Sequence, residues 1–322
     1  MKLFYCDVDG GNFGDDMNAW FWDALFPDYG EMAPDTTLFG IGSILWRKNF
    51  EGHDKVLVMG SGSGYGVVPS EVPKGTQIGF VRGPRTAKLL GLEPEHAITD
   101  PAAMVSTFKR FDDVTSRGDT VFIPHVGTAK LPLNWNGIAE RADVRYLSPA
   151  GDSHAVIRSL ASARLVLAES LHGAIIADAF RVPWVPVSIS PTFNTHKWHD
   201  WAASLDTEIA FHPCLGSLKA VRRQLAQIKS KLRNAQPTSK DASQTGGTRV
   251  AEVVSDADKT AARKWVSRLA PVIEGMLVRD LVRAARGPHH LSADATLKNR
   301  QNKIAARVDR LRAQLQSGTR AA

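Results

Sequence analysis

Through residue 215 the chain alternates short β-rich runs with amphipathic helical patterns, and this alternation restricts the fold more than any other feature. Lys2–Val8, Lys55–Ser61, Thr76–Val81, Thr120–Val126, Asp143–Leu147, Arg164–Glu169 and Trp184–Ser188 read as short buried strands with turn chemistry nearby. Between them, helical patterns fall at Asp15–Leu25, Pro84–Leu90, Ser153–Ala161 and Ala174–Phe180. Such an order predicts parallel sheets with right-handed crossovers. The charged run Lys109-Arg110-Phe111-Asp112-Asp113, followed by Ser116-Arg117-Gly118-Asp119, interrupts the pattern. It predicts a hinge between two α/β lobes, residues 1–115 and 116–215.

Beyond Cys214 the character changes. Residues 216–233 are amphipathic, 236–248 form a polar linker, and 256–286 are helical again with Pro271 as a start or a kink. Leu297, Ile304, Val308, Leu311 and Leu315 then make a helix stripe suited to packing on the protein or to self-association. Residues 216–322, read as a basic helical extension, hold 22 Lys and Arg against 8 Asp and Glu, a net of +14, whereas residues 1–215 hold 18 against 25, a net of −7. That asymmetry fits either a solvated basic face or contact with an anionic surface such as a membrane.

The apolar stretches, such as Leu165–Ala168 and Ala174–Ala177, fall far short of the roughly 20 residues that cross a bilayer. The opening residues Lys2-Leu3-Phe4-Tyr5-Cys6 read as a first strand rather than a cleavable signal, so a cytoplasmic protein is expected. Cys6 and Cys214 stand apart from each other and from any paired histidine spacing, which points to neither a disulfide framework nor a structural zinc. No metal is expected. Nucleic acid is not expected as a partner, because no RNA- or DNA-reading motif accompanies the basic tail.

Four loops carry groups able to do chemistry. Gly10-Gly11-Asn12-Phe13-Gly14-Asp15-Asp16 joins the first strand to a helix, whose amino end offers unpaired N–H groups. Phe39-Gly40-Ile41-Gly42-Ser43 and Gly60-Ser61-Gly62-Ser63-Gly64-Tyr65-Gly66 are either tight turns or walls of a ligand cleft, and three such loops in one lobe favour the cleft. The fourth runs from an apolar strand into Glu169-Ser170-Leu171-His172-Gly173 and a helix of small residues. His172 therefore stands where a strand ends and a helix begins, the place where open α/β sheets bind ligands. The helix dipole there favours a bound phosphate or carboxylate and disfavours a cationic His172 until an anion arrives. Arg82-Gly83-Pro84-Arg85 supplies guanidinium groups at another strand-to-helix corner, and Arg85 in a first helical turn opposes the dipole unless it faces an anion. His196-Lys197-Trp198-His199-Asp200-Trp201 combines titratable groups with two indoles, suited either to sugar rings or to ordinary packing. Asp100, beside Pro101, and His125, after Pro124, are placed at strand ends where an interlobe cleft would lie.

These segments resemble the polysaccharide pyruvyl transferase family, especially bacterial members that decorate exopolysaccharides such as succinoglycan. The matching pieces are Gly11 to Asp16, Gly40 to Ser43, Gly60 to Gly62, Arg82 to Thr86, Asp100 to Ala102, Ser170 to Gly173 and Lys197 to Trp201, so the likeness covers about residues 1–215. The resemblance implies two Rossmann-like lobes in a glycosyltransferase B-like architecture with the donor between them. It implies phosphoenolpyruvate as co-substrate, a sugar of an exopolysaccharide or its lipid-linked precursor as acceptor, and no cofactor. It places His172, Arg82, Arg85, Ser170, Leu171, Gly173 and Lys197 at the donor. Many relatives carry arginine directly before Leu-His-Gly, where this chain has Ser170, so that contact is expected from elsewhere, with Arg85 and Lys197 as the candidates.

On this reading His172 is the general acid and Glu169 orients or assists it. The remaining cleft and acceptor candidates are Asn12, Asp15, Asp16, Gly42, Ser43, Gly62, Asp100, His125, Trp198, Asp200 and Trp201. The alternatives are a nucleotide-sugar glycosyltransferase of the same architecture and a non-catalytic anion-binding protein. Basic helices would hold the enzyme near the cytoplasmic face of the inner membrane, where lipid-linked acceptors reside.

Overall fold

The computed structural model describes residues 1–190, 193–215 and 256–319, with side chains in the last stretch described over 270–317. The amphipathic segment 216–233 and the linker 236–248 lie outside the described residues.

Two parallel sheets are present. The first is ordered β1-β2-β3-β4, from Lys2–Phe4, Thr37–Phe39, Val56–Met59 and Thr76–Phe80. The second is ordered β6-β5-β7-β8-β9, where β5 is Thr120–Ile123, β6 Arg145–Tyr146, β7 Leu165–Ala168, β8 Trp184–Ser188 and β9 His212–Pro213. All pairings within the two sheets are parallel. Every residue of β2, β3, β5, β7 and β8 is buried, as expected of strands covered on both faces. The sequence reading missed β2 and β9, which have three and two residues.

Helices α1 (Phe13–Asp16), α2 (Asn18–Leu25), α3 (Tyr29–Met32) and α4 (Pro84–Leu89) accompany the first sheet. Helices α5 (Val126–Ala129), α6 (Trp135–Arg141), α7 (Ser153–Ala161), α8 (Leu171–Ala179) and α9 (Thr195–Ser204) accompany the second. The central helix is α8. Its Leu171, Ala174, Ile175, Ile176 and Ala177 are all buried, and it packs between the second sheet and the 3₁₀ segment Pro101–Thr107 of the first half. An apolar helix enclosed on all sides joins the two sheets through one continuous core.

This helix opens two residues before the glycine expected to start it. Ser170 caps it by accepting from Gly173 N–H at 3.3 Å, so His172 sits in its first turn. Gly173 is inside the helix, pressed on Ile123 of β5.

The helices of the basic tail do not stand apart as an extension. Helix α10 (Asp256–Arg286), with Pro271 in its interior, places Ile273, Leu277, Leu281 and Ala284 in the core of the second sheet. Helix α11 (Asp294–Thr319) returns to the first sheet and buries Leu297, Ile304, Val308 and Leu311, with Leu315 packed alongside. The stripe read from the sequence is thus covered from within the chain. Ser292, in the turn between the two helices, donates through its N–H and hydroxyl to buried Asp178 of α8, at 2.8 and 2.6 Å. Replacing Ile304 by Ala should cost about 2–5 kcal/mol in urea unfolding, whereas Lys303→Ala on the exposed face should change stability by less than about 0.5 kcal/mol.

Candidate active site

A cavity of about 410 Å³ opens at the carboxyl ends of the strands, lined from both halves of the molecule. Its first wall carries Asn12 and Asp15 from the start of α1, Ser43, and Arg82, two residues beyond the end of β4. Its second carries His125 after β5, Ser170, Leu171 and His172 at the start of α8, and Lys197 of α9. Chain reversals at the carboxyl ends of parallel strands bring these distant residues together.

Arg82 is almost wholly buried, and its position is fixed on three sides. Its Nε donates to Asp200 at 3.2 Å, one terminal nitrogen donates to Ser43 Oγ at 2.7 Å, and the other donates to the Ser63 carbonyl. Three of five guanidinium N–H groups are used in this way, and the residue still borders the cavity. Gly62 makes the placement possible, since a Cβ there would come within 2.2 Å of the guanidinium carbon. Asp200 is fully buried and also accepts from Thr86 N–H at 2.9 Å and Thr86 Oγ at 2.6 Å, so it closes the amino end of α4. Lys197, mostly buried, donates to Tyr65 OH at 3.2 Å.

His172 lies flat against the backbone of Gly14, where a Cβ would meet its Nδ1 at 2.0 Å. Burial, then the positive charges of Lys197 and Arg82, pull its pKa down to about 3. The imidazole is therefore neutral near pH 7. Its Nε2 stands 3.9 Å from Asp100 Oδ2, beyond hydrogen-bond reach, and that buried oxygen has no hydrogen-bond partner among the described residues. Burial raises Asp100 to about 6, with Arg82 and the Ala102 N–H opposing the shift. Asp15 is pushed up to about 7, chiefly by burial; Asp16 and Asp100 add to the rise, while the Asn12 amide and Lys197 oppose it. Two carboxyls and an imidazole thus share a site that supports the charged form of none of them.

Comparison with known proteins meets this geometry from two directions. Residues 105–191, which carry His125 and the start of α8, match the family described as polysaccharide pyruvyl transferase. Along almost the whole chain, the sequence is 35% identical over 321 residues to the succinoglycan biosynthesis protein ExoV of Rhizobium meliloti (strain 1021), covering 97% of this chain and 99% of that protein. The chain belongs to the polysaccharide pyruvyl transferase family. It is a transferase.

The cavity contains most, but not all, of the residues singled out from the sequence. Arg82, Lys197, Ser170, Leu171, His172, Asn12, Asp15, Ser43 and His125 line the cavity. Gly42 and Gly62 back it, Gly42 against the Asp15 carboxyl and Gly62 against Arg82. Asp16 is turned to the Asn12 N–H at 2.8 Å. Arg85 is exposed and borders no part of the cavity, because its position on α4 turns it away from the face that Thr86 presents to Asp200.

Glu169 is a tie between loops rather than a partner of His172. Fully buried, it accepts from the N–H groups of His125, Ile189 and Ser190 at 3.0, 3.2 and 2.7 Å, and burial raises its pKa against these bonds. Trp198 and Trp201 do not face a sugar. Both are in the core, packed on Trp184 at ring separations of 6.2 and 5.1 Å. The reading also missed Trp46 and Asn49, which line the same cavity.

The raised pKa of Asp15 gives a stability prediction. Its folded value of about 7 lies above the ordinary 3.8, so ionising it costs folding energy that accumulates as pH rises between those values and is complete above pH 7. Asp15→Asn removes that cost. The variant should therefore melt above the parent at pH 8 and alongside it near pH 4, with a gap growing by roughly 1.4 kcal/mol per pH unit within the window; scanning calorimetry at the two pH values checks it.

Proposed function

We propose that the protein transfers the pyruvyl group of phosphoenolpyruvate to two hydroxyls of one sugar in an exopolysaccharide or its lipid-linked precursor, forming a cyclic ketal and releasing phosphate. The observation carrying this reading is that Lys197 and Arg82, able to hold a carboxylate and a phosphate, converge with Asp15 and His172 in one cavity. The N–H groups at the start of α8 add an anion-stabilising dipole. The name of the ExoV relative supports a polysaccharide product, and the two parallel sheets flanking the cavity are compatible with a glycosyltransferase B-like donor cleft.

The chemistry divides between the two titrating groups. Protonated Asp15 gives its proton to C3 of the enol phosphate, making C2 electrophilic, while the first sugar hydroxyl adds to C2 and His172 takes its proton. Burial chiefly depresses His172 and the Lys197 and Arg82 charges add to it; bound donor anions offset those charges and so raise its basicity. The second hydroxyl then forms its bond to C2 as the C2–O bond to phosphate breaks. Asp15 recovers a proton from that hydroxyl, and the imidazolium gives its own to the departing phosphate. One proton ends on the new methyl group and one on phosphate, and both side chains return to their starting forms. Asp15 replaces His172 as the acid of the first step because it is the group that holds a proton near neutral pH.

No metal or nucleotide enters this scheme. The site of action proposed is the cytoplasmic face of the inner membrane, with phosphoenolpyruvate and the acceptor as partners. No helix among the described residues is long and apolar enough to cross a membrane, and the +14 tail is suited to an anionic surface.

The test mixes purified protein with phosphoenolpyruvate and an oligosaccharide pool, following phosphate release and the mass of the sugar. Joint phosphate release and pyruvyl gain are expected; transfer only from a nucleotide sugar would overturn the reading in favour of a glycosyltransferase. His172→Gln and Asp15→Asn should each lower kcat by roughly 10²- to 10⁴-fold, the usual scale of acid–base catalysis. Activity of the parent should fall as pH rises through and above 7, where Asp15 loses its proton. The residual rate of Asp15→Asn should lack that alkaline limb, and a persisting limb would remove Asp15 from the role.

A further inference from the structure

With Trp198 and Trp201 in the core, the sugar must be held by other groups. We infer that Trp46 and Tyr65 form a stacking platform for a pyranose ring of the acceptor, next to the donor end of the cavity. This inference rests on the transfer reaction proposed above.

The platform is built by two loops that pair beyond the sheet. Gly62 N–H donates to the Gly42 carbonyl at 2.9 Å, Leu45 N–H to the Gly62 carbonyl at 3.3 Å, and Arg47 N–H to the Val67 carbonyl at 2.8 Å. The paired loops make one continuous wall. Ser43, the first residue of this wall to face the cavity, holds Arg82. Three residues further along stands Trp46, half-buried and also facing the cavity, and Tyr65 faces it from the opposite loop. The donor and acceptor ends are therefore ordered along a single surface.

Trp46 is held from behind. Its ring rests on Gly66, a residue at φ +66° whose Cβ would come within 2.1 Å of the indole, so the contact requires glycine. Tyr65 is 48% exposed, unusual for so large a ring beside a cavity, while Lys197 donates to its hydroxyl and stands 5.5 Å from its ring centre. Lys197 thus touches both the donor charge and the platform. Asn49, whose amide donates to the Ile44 carbonyl at 2.8 Å, lines the same stretch and puts a carboxamide beside the rings. Aromatic faces interleaved with hydrogen-bonding groups suit the apolar C–H face and the hydroxyl rim of a sugar.

The experiment uses full-length protein, phosphoenolpyruvate and oligosaccharides cut from succinoglycan and freed of pyruvyl groups by mild acid. Tyr65→Ala and Trp46→Ala should raise KM for the oligosaccharide at least tenfold, with kcat within about threefold and KM for phosphoenolpyruvate within about twofold. Trp46→Phe, which keeps an aromatic face, should recover most of the loss. Tyr65 is exposed enough that its variant tests the platform even where Trp46→Ala fails to fold. Saturation-transfer NMR of the same oligosaccharides with parent and variants provides a readout without turnover. Sugar contacts in the parent that vanish in Tyr65→Ala, even with no pyruvyl transfer, would uphold the platform while the transfer reading fails. Unchanged oligosaccharide KM in an active Tyr65→Ala variant, no sugar contact in the parent, or selective loss of uridine diphosphate binding instead of sugar binding, would overturn it.

Discussion

The site depends on one buried ion pair. Arg82 comes from the end of β4 and Asp200 from α9, so their 3.2 Å contact joins the two halves of the molecule directly under the cavity. Charges so deeply buried normally lose more in desolvation than they gain from each other unless their remaining valences are also filled. Here they are: Thr86 satisfies Asp200, while Ser43 and the Ser63 carbonyl satisfy Arg82. Ser63 and Thr86 are in turn hydrogen-bonded to each other, and Ser63 Oγ lies 2.9 Å from His196 Nε2. The loops after β2, β3 and β4 and helix α9 are thereby held in one arrangement. That fixes where Lys197 and the paired loop wall can lie.

The contrast with the neighbouring titratable groups is chemical. Arg82 and Asp200 are satisfied as ions, whereas burial works against the charged forms of His172, Asp15 and Asp100. An imidazole held near 3 and a carboxyl held near 7 reverse their ordinary order of acidity. Opposed shifts of this kind allow two side chains to exchange acid and base roles near neutral pH.

Much of the fold was legible, and the failures have physical causes. Helix α7 occupies the expected residues because Asp152 caps it and its apolar face is regular. The place of His172 at the cavity was legible because a strand end followed by a helix start constrains position without any knowledge of tertiary contacts. The choice for Trp198 and Trp201 between sugar rings and packing was left open although the deciding signal was present: with Ala202 and Leu205 they fall at positions 0, 3, 4 and 7 of one helical face, the pattern of a core stripe. Glu169 was misjudged for a different reason. Its partners are backbone N–H groups of His125, Ile189 and Ser190 together with the Thr128 side chain, groups that only the tertiary fold brings together. Trp46 and Asn49 escaped notice because they reach the cavity only through the pairing of two irregular loops.

The charge asymmetry has an internal consequence that composition alone hides. Cations of the tail meet acids of the first 215 residues at Arg300–Asp206 and Arg312–Asp28, at 3.2 and 3.3 Å, and Arg307 donates to the Gly79 carbonyl at 2.7 Å. Pairs this exposed contribute less than about 1 kcal/mol each, so the buried stripe of α11 supplies the attachment and the charges bias its rotation about its own axis. Once that stripe faces the first sheet, Lys298, Lys303 and Arg310 are left on the solvent side. The internal pairs consume only part of the positive charge. An anionic surface would therefore meet a helix already docked by its apolar face, and attraction would not require α11 to unfold.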